Sequence, residues 1–377
     1  LLLYVSRLLR SLVAHDLPAA VEASLSTIVG ALCAIVKCVF PPGRGRKLSA
    51  ACASVLQLLS TRYDADMAPL FAGVVDACVF VLLAPGQSEE DADADSVACS
   101  AMRTLAGVAR YASSDAISPE AASQLIAHVV VPSMALRPSD VAAAASADAE
   151  EALGWVRLAS DESSRRAAAV ELARALVARE AHSGGPATVH AALQQTISAS
   201  LSGAPEVRDA AMALFSAVGD ASASASFYAA HVLPVLSAQG GAGAGVATLR
   251  IGALRFAASH ASSLDARALA ETARALVPLV ALRRGPFALA TSAVAASTVD
   301  RVLCALSLAD AAAAGEAASL LLPALSEGLA AMAGGDDAHE FLPAALHRAC
   351  ACVVSALLAR PDAPAIPGAL SRAPSIP

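Results

Sequence analysis

Residues 17–43 read LPAAVEASLSTIVGALCAIVKCVFPPG, and residues 48–60 read LSAACASVLQLLS. In the first stretch Leu25, Ile28, Val29, Leu32 and Val36 recur at i, i+3, i+4, i+7 and i+11. That spacing lays them along one face of a helix with 3.6 residues per turn. Phe40-Pro41-Pro42-Gly43 stops the helix, because proline has no backbone N–H and clashes with the preceding turn. Leu48 then resumes the period. Helix, short break, helix is the unit from which the rest of the chain can be read.

The same rhythm continues outward in both directions. Upstream, residues 1–12 are apolar with Arg7 and Arg10 at helical spacing. Downstream, the pattern predicts helices over 67–83, 97–111, 119–136, 163–179, 188–201, 205–218, 227–236, 246–260, 264–282, 286–306, 316–332 and 340–358. Ser118-Pro119-Glu120 is a helix start, with Ser at the N-cap and Pro at the first helical position. No stretch alternates with the period of two that a strand requires.

Composition agrees. Of 377 residues, 56% are hydrophobic, 3% aromatic and 16% charged, so the apolar mass is Ala, Leu and Val. Ala and Leu are the strongest helix formers, and small side chains let helices approach closely. An all-β fold is excluded, and so is disorder, which needs low hydrophobicity and high charge. The net charge of -7 argues against a nucleic-acid-binding protein. A membrane span needs about 20 mostly apolar residues in a row. Residues 23–36 are too short, 121–136 contain His128 and Pro132, and 221–248 are broken by Ser, Gly and Pro, so no transmembrane segment is expected. The absence of an initiator Met and of a signal-like start reads as an internal segment of a longer protein. Eight cysteines stand in Ala/Leu/Val stretches with no C-x-x-C pair and no His at zinc-ligand spacing. Buried, reduced thiols and an intracellular compartment are the expectation.

Taking the first helix of each pair near Leu48, Val97, Ser163, Pro205, Val246, Pro286 and Glu340 gives a period of roughly 40–50 residues, the range of HEAT and armadillo repeats. The predicted fold is all-α, a right-handed solenoid of about seven HEAT-like helix pairs with one long concave surface. One interval, from Val97 to Ser163, is too long. The excess is an insertion over 137–162 within a repeat, carrying Asp140, Asp148, Glu150, Glu151, Arg157 and the single tryptophan, Trp155. Repeats are expected over 1–136 and 163–360, and an irregular Pro-rich tail over 361–377.

Catalytic and cofactor chemistry is not expected. Gly240 to Gly245 lacks the Lys-Ser/Thr of a phosphate loop and reads as a linker. The histidines, His15, His128 and His231 among them, are scattered, and no nucleophile, base and orienting group converge. Arg44, Arg46 and Lys47 form a basic loop; Glu89, Glu90, Asp91, Asp93 and Asp95 form an acidic one. Arg165 and Arg166 open a helix, where the dipole disfavours cations. They form either a local ion pair at a repeat junction or an arginine pair aimed at the concave face or the insertion.

Val129-Val130-Val131-Pro132-Ser133-Met134, then the acidic insertion, then residues 161–169 with Arg165 and Arg166, follow one another in an order that resembles the karyopherin-β nuclear transport receptors. Within that family the chain is most similar to the export receptors for importin alpha. His15-Asp16-Leu17-Pro18, Phe227 to Pro234 and residues 288–303 agree in order. The resemblance implies a monomeric receptor shuttling between nucleus and cytoplasm. It would bind importin alpha cooperatively with Ran-GTP, make contacts at the nuclear pore, and require no nucleic acid, membrane insertion, metal or cofactor. It also implies partner-binding roles for Arg137, Asp140, Asp148, Glu150, Glu151, Trp155, Arg157, Arg165 and Arg166. The insertion is richer in Ala than in the family, and Gly154-Trp155-Val156 stands where the family is more polar. Import receptors of the same superfamily share the Val-Pro, acidic, Arg-Ala-Ala arrangement, and a HEAT scaffold subunit without Ran dependence is the other reading.

Overall fold

A computed structural model describes residues 1–38, 40, 44–84, 92–111, 116–146, 148–158, 164–183, 187–238, 243–282, 286–332 and 341–358. Among them every regular element is helical. Leaving aside single short turns, in chain order these are α1 (Leu2–His15), α2 (Leu25–Lys37), α3 (Arg44–Arg62), α4 (Phe71–Leu83), α5 (Ala92–Tyr111) and α6, which runs from Pro119–Leu125 through Ile126–Val130 into Val131–Met134. Two short helices follow, α7 (Pro138–Ala145) and α8 (Ala149–Leu158), then α9 (Arg165–Ser183), α10 (Thr188–Ser200) and α11 (Pro205–Val218). Next come α12 (Ser224–Phe227, Tyr228–Val232 and Leu233–Ser237 in succession), α13 (Ala244–His260), α14 (Ala266–Val280), α15 (Ala288–Ala309), α16 (Ala311–Met332) and α17 (Phe341–Leu358).

The chain divides into two compact units. The first comprises residues 1–139 and 157–219, the second 140–156 and 220–377. In the first, α1, α3, α5, α9 and α11 pack side by side as one row, and α2, α4, α6 and α10 form a second row against it. In the second, α12, α14 and α16 form one row and α13, α15 and α17 the other. Seven helix pairs result among the described residues: α2–α3, α4–α5, α6–α9, α10–α11, α12–α13, α14–α15 and α16–α17. The all-α, HEAT-like expectation holds. The pairing runs in the other phase, however: helices starting near Leu48, Val97 and Pro205 are second members, each packed on the helix before it. A fixed period locates a repeat but carries no information about which helix opens it. The two helices α7 and α8 stand between the members of the α6–α9 pair, and residues 140–156 group with the second unit.

Small residues set the spacing of the rows. Val55, Leu59, Leu105, Ala106, Leu172 and Ala173 are fully buried between α3, α5 and α9. Gly107 marks the closest approach, since a Cβ there would lie 3.1 Å from Cγ2 of Thr61. Thirteen of the 22 residues of α15 are buried, among them Ala290, Ala293, Ala295 and Ala296. Two helices, Asp64–Leu83 and Ala288–Ala309, are long and apolar enough to cross a membrane by length and composition alone. The second is the central helix of its row and 67% buried in the protein, so its hydropathy is explained by packing.

Proline shapes two first-position helices, α6 and α12, in the same way. Ala127-His128-Val129-Val130-Val131-Pro132 and Ala230-His231-Val232-Leu233-Pro234 both pass through a π-helical turn, with Val131 N–H donating to Ile126 O and Leu233 N–H to Tyr228 O. A proline removes one N–H and crowds the carbonyl four residues back, and the widened turn accommodates both effects. Ser118 caps α6 as the sequence implies, accepting from Ala121 N–H at 3.2 Å. Helix α13 begins inside the glycine run, at Ala244, so Gly245 belongs to a helix and not to a linker. Residues 240–242, 89–91, 161–163 and the tail 361–377 lie outside the described residues.

The cysteines depart from their expectation. Cys33, Cys52, Cys78 and Cys99 are buried, but Cys38 and Cys304 are exposed and Cys350 and Cys352 half-buried; all eight are free. An apolar stretch on an amphipathic helix still has solvent-facing positions, and Cys304 occupies one. Burial pushes the Cys78 thiol far above its ordinary range, with Cys33 adding to the effect.

Glu180, near the end of α9, holds the start of α10. It accepts from Val189 N–H at 2.6 Å, His190 N–H at 2.9 Å and the Thr188 hydroxyl at 3.1 Å. Burial raises its carboxyl, but these bonds outweigh it and hold it below the usual value. A depressed carboxylate contributes stability above its unfolded value, near pH 4.3, and loses it as pH falls through the folded value. Acid titration below about pH 4.5 is therefore expected to raise amide exchange first at residues 188–190. In Glu180→Gln that acid-dependent step should be absent; its persistence would exclude Glu180 as the cause.

Candidate partner-binding site

The predicted site residues fall into both units. Arg137, Arg157, Arg165 and Arg166 belong to the first; Asp140, Asp148, Glu150, Glu151 and Trp155 belong to the second. Each set is held by its own chemistry.

In the first unit, Asp95 on the opening turn of α5 gathers two arginines. Its carboxylate takes both terminal nitrogens of Arg137, with Oδ2 2.7 Å from Nη1. Arg165 reaches the same carboxylate at 3.5 Å and donates to Ser133 Oγ at 3.2 Å. Burial and the neighbouring Arg137 pull the Arg165 guanidinium below its ordinary value, while Asp95 opposes them. Arginine stays charged throughout. Arg166 points to α11, where Nη1 lies 2.7 Å from Oδ2 of Asp209 and Nη2 3.4 Å from the Asp209 carbonyl. The Asp209 side chain is 2% exposed and that of Arg166 17%. Of the two sequence readings of the arginine pair, the geometry supplies the ion pair at a repeat junction.

One turn further along, Glu171 of α9 binds two arginines of α5, Arg103 at 3.3 Å and Arg110 at 3.0 Å. Arg174 donates to Ala217 O at 3.1 Å. These partners stand one repeat apart: Asp95 and Arg137 by 42 residues, Arg166 and Asp209 by 43, Arg174 and Ala217 by 43. The second unit repeats the register, with Tyr228 and Thr272 separated by 44 and Thr298 and Leu254 by 44. Sequence reasoning missed Asp209, Glu171, Arg103 and Arg110. For Asp209 the signal that would have found it is the offset of 43 residues from Arg166; Arg103 and Arg110 lie 68 and 61 residues before Glu171, across the insertion, and carry no such signal.

In the second unit, Trp155 is 5% exposed, with Ala152, Leu153 and Val156 buried beside it. The guanidinium of Arg255 on α13 sits 5.0 Å from its ring centroid, a cation–π contact. Expected as a partner contact, Trp155 is thus an internal anchor that fixes α8 within its unit. Asp148, Glu150 and Glu151 are exposed and Asp140 half-buried. Asp148 caps α8 through Glu150 N–H at 2.8 Å. The side chain of Arg157 lies outside the described residues. Among the described residues no group of three or more His, Cys, Asp or Glu is placed to hold a metal.

Stacked helix pairs with polar partners one repeat apart define an all-α solenoid of the kind seen in nuclear transport receptors. The fold matches the exportin Cse1 in its cargo-free, cytoplasmic state with a TM-score of 0.72, 16% identity, and coverage of 94% of this chain and 39% of that one. It matches Lph2, a bidirectional nuclear transport receptor of S. cerevisiae, at 0.65 with 12% identity and coverage of 90% and 37%. Kap121p bound to Pho4p follows at 0.52, 13% identity, 95% and 34%. No curated protein matches the sequence. The Cse1 family model matches residues 1–280, and the chain belongs to the Cse1 family. It spans between 34% and 39% of the length of these solved receptors.

The ion pairs make a direct expectation. Arg166→Glu sets a carboxylate against buried Asp209 and should lower stability in urea by about 3–5 kcal/mol, the cost of breaking a buried pair. Asp209→Leu combined with Arg166→Met should recover most of the loss. An Arg166→Glu protein as stable as the parent would show that the pair carries no weight.

Proposed function

We propose that this chain is a segment of a nuclear export receptor that carries importin alpha from nucleus to cytoplasm, binding it cooperatively with Ran-GTP. The observation that carries the reading is the match of the Cse1 family model to residues 1–280. The HEAT-like rows supply the surface for it, since cargo binding by a solenoid needs no catalytic group and no cofactor, only a long face of side chains. If Ran-GTP tightens the grip on importin alpha, importin alpha must tighten the grip on Ran-GTP by the same factor. The protein shuttles and acts as a carrier, not a catalyst.

Within this reading the acids of α7 and α8 are the partner-facing residues. Asp148, Glu150 and Glu151 are exposed and make up an acidic edge. Asp140 flanks it, and Trp155 holds the helix that displays it. Arg137, Arg165 and Arg166 contribute within the first unit, by fixing α5, α6, α9 and α11 to one another. The similarity in fold to Lph2, a receptor for both directions, keeps import as the second reading.

Titration of the full-length receptor with importin alpha, with and without GTP-loaded Ran, decides between them. Export requires that Ran-GTP strengthen binding. Release of importin alpha by Ran-GTP would turn the reading to import, and indifference to Ran would remove the transport mechanism. Neutralisation of Glu150 and Glu151 to Gln should weaken the ternary complex with only a small shift of the thermal transition, because both side chains are exposed and first-turn acids interact with the helix dipole by only about 0.3–1 kcal/mol each.

A further inference from the structure

Charge in the first unit is sorted by row. Helices α1, α3, α5, α9 and α11 carry two, four, two, four and one Arg or Lys, thirteen in all, against six Asp or Glu. The opposite row carries Lys37 against Asp76 and Glu120. In a chain of net charge -7, half of all 26 basic residues stand on five helices of one row. Exposure sharpens the contrast. Arg7, Arg10, Lys47, Arg62, Arg110 and Arg174 are exposed, whereas none of the six acids is, Asp209 being buried and the rest half-buried.

Three of these arginines stand in line along one edge of the row. Arg62, in the last turn of α3, donates to Ala14 O at the end of α1. Thr61 beside it faces Gly107 in the last turn of α5. Arg110, in that same turn, pairs with Glu171 of α9, and Arg174, one turn on, bonds Ala217 O at the end of α11. The line thus presents one guanidinium per helix across α3, α5 and α9. Their partners are two carbonyls and one carboxylate that Arg103 shares. Helix C-termini add negative potential that holds cations in place.

We propose that this edge is a docking strip for an extended acidic polypeptide segment with Asp or Glu at about every third position. Packed helices lie roughly 8–10 Å apart, and an extended chain advances about 3.3–3.6 Å per residue. Three residues therefore span one helix step. The Arg62 guanidinium lies against α1, that of Arg110 against α9 and that of Arg174 against α11. Carboxylates at every third position reach all three, two steps separating the first from the second and one step the second from the third. A nucleic acid is disfavoured as the occupant by the acidic whole and the 3% aromatic content, which offers few platforms for base stacking. The strip does not depend on the direction of transport, since the sorting of charge belongs to the helices themselves.

The test uses the 377-residue chain and fluorescent peptides at low salt: one with Glu at every third position, one with the same Glu content in a block, one with Ser replacing Glu. A single-stranded oligothymidine of equal charge is the fourth probe. The spaced peptide should bind roughly tenfold tighter than the blocked one, and the difference should shrink as salt rises. Arg62→Gln, Arg110→Gln and Arg174→Gln together should remove that preference. If the triple variant loses helicity, Arg174→Gln alone, which releases only a carbonyl, should still weaken the spaced peptide. Equal binding of spaced and blocked peptides, no binding of either, or tighter binding of the oligothymidine overturns the proposal.

Discussion

A pair of helices cannot bury its own apolar faces, and everything else in this protein follows from that limit. Each helix has an apolar stripe too broad for one partner, so every pair must lean on the next. The chain meets the requirement with Ala, Leu and Val instead of aromatic anchors. Small side chains make weak contacts singly but allow backbones to approach closely, as at Gly107 against Thr61 and along the alanines of α15. Close approach has a second effect. It brings polar side chains on adjacent helices within bonding reach at the same height, which is why Arg166 meets Asp209 and Arg103 meets Glu171.

Several of these polar contacts, Asp95 with Arg137, Arg166 with Asp209 and Tyr228 with Thr272, recur at offsets of 42 to 44 residues, the length of the repeat itself. Buried ion pairs add little net stability against an apolar alternative, because desolvation consumes most of the Coulombic gain. They discriminate strongly among registers. A slip of one turn would leave Asp209, 2% exposed, facing aliphatic carbon. Alanine-rich faces are poor at specifying register, since one alanine resembles another; the charged pairs supply what the apolar contacts lack.

This explains which features can be read from the sequence and which cannot. Helices and their period were legible, because apolar spacing and Pro/Gly breaks are local. The interval from Val97 to Ser163 is visibly too long for one repeat, and α7 and α8 stand in it. The phase of the pairing was hidden, since Leu48 and Leu25 begin equally good helices and only packing ranks them. The resemblance alone gives Trp155 a partner role; that Arg255 lies a hundred residues on and covers it is a tertiary fact. The arginine pair posed the same difficulty. Arg165 and Arg166 are adjacent in sequence yet serve different carboxylates, Asp95 behind and Asp209 ahead.

The division of labour among charges has a further consequence. Residues that set register must be shielded, and those that meet partners must be solvated, so the two roles select different positions on a helix. On α9 both occur within three turns: Arg166 is 17% exposed and committed inward, while Arg174 is exposed and bonded only to a carbonyl. A guanidinium that satisfies a carbonyl keeps its full charge available to solvent, whereas one facing a buried carboxylate does not. Basic residues of the first kind can accumulate on a row without destabilising it, because helix ends and carbonyls tolerate them. A solenoid can therefore carry a strongly charged face in a chain of opposite net charge.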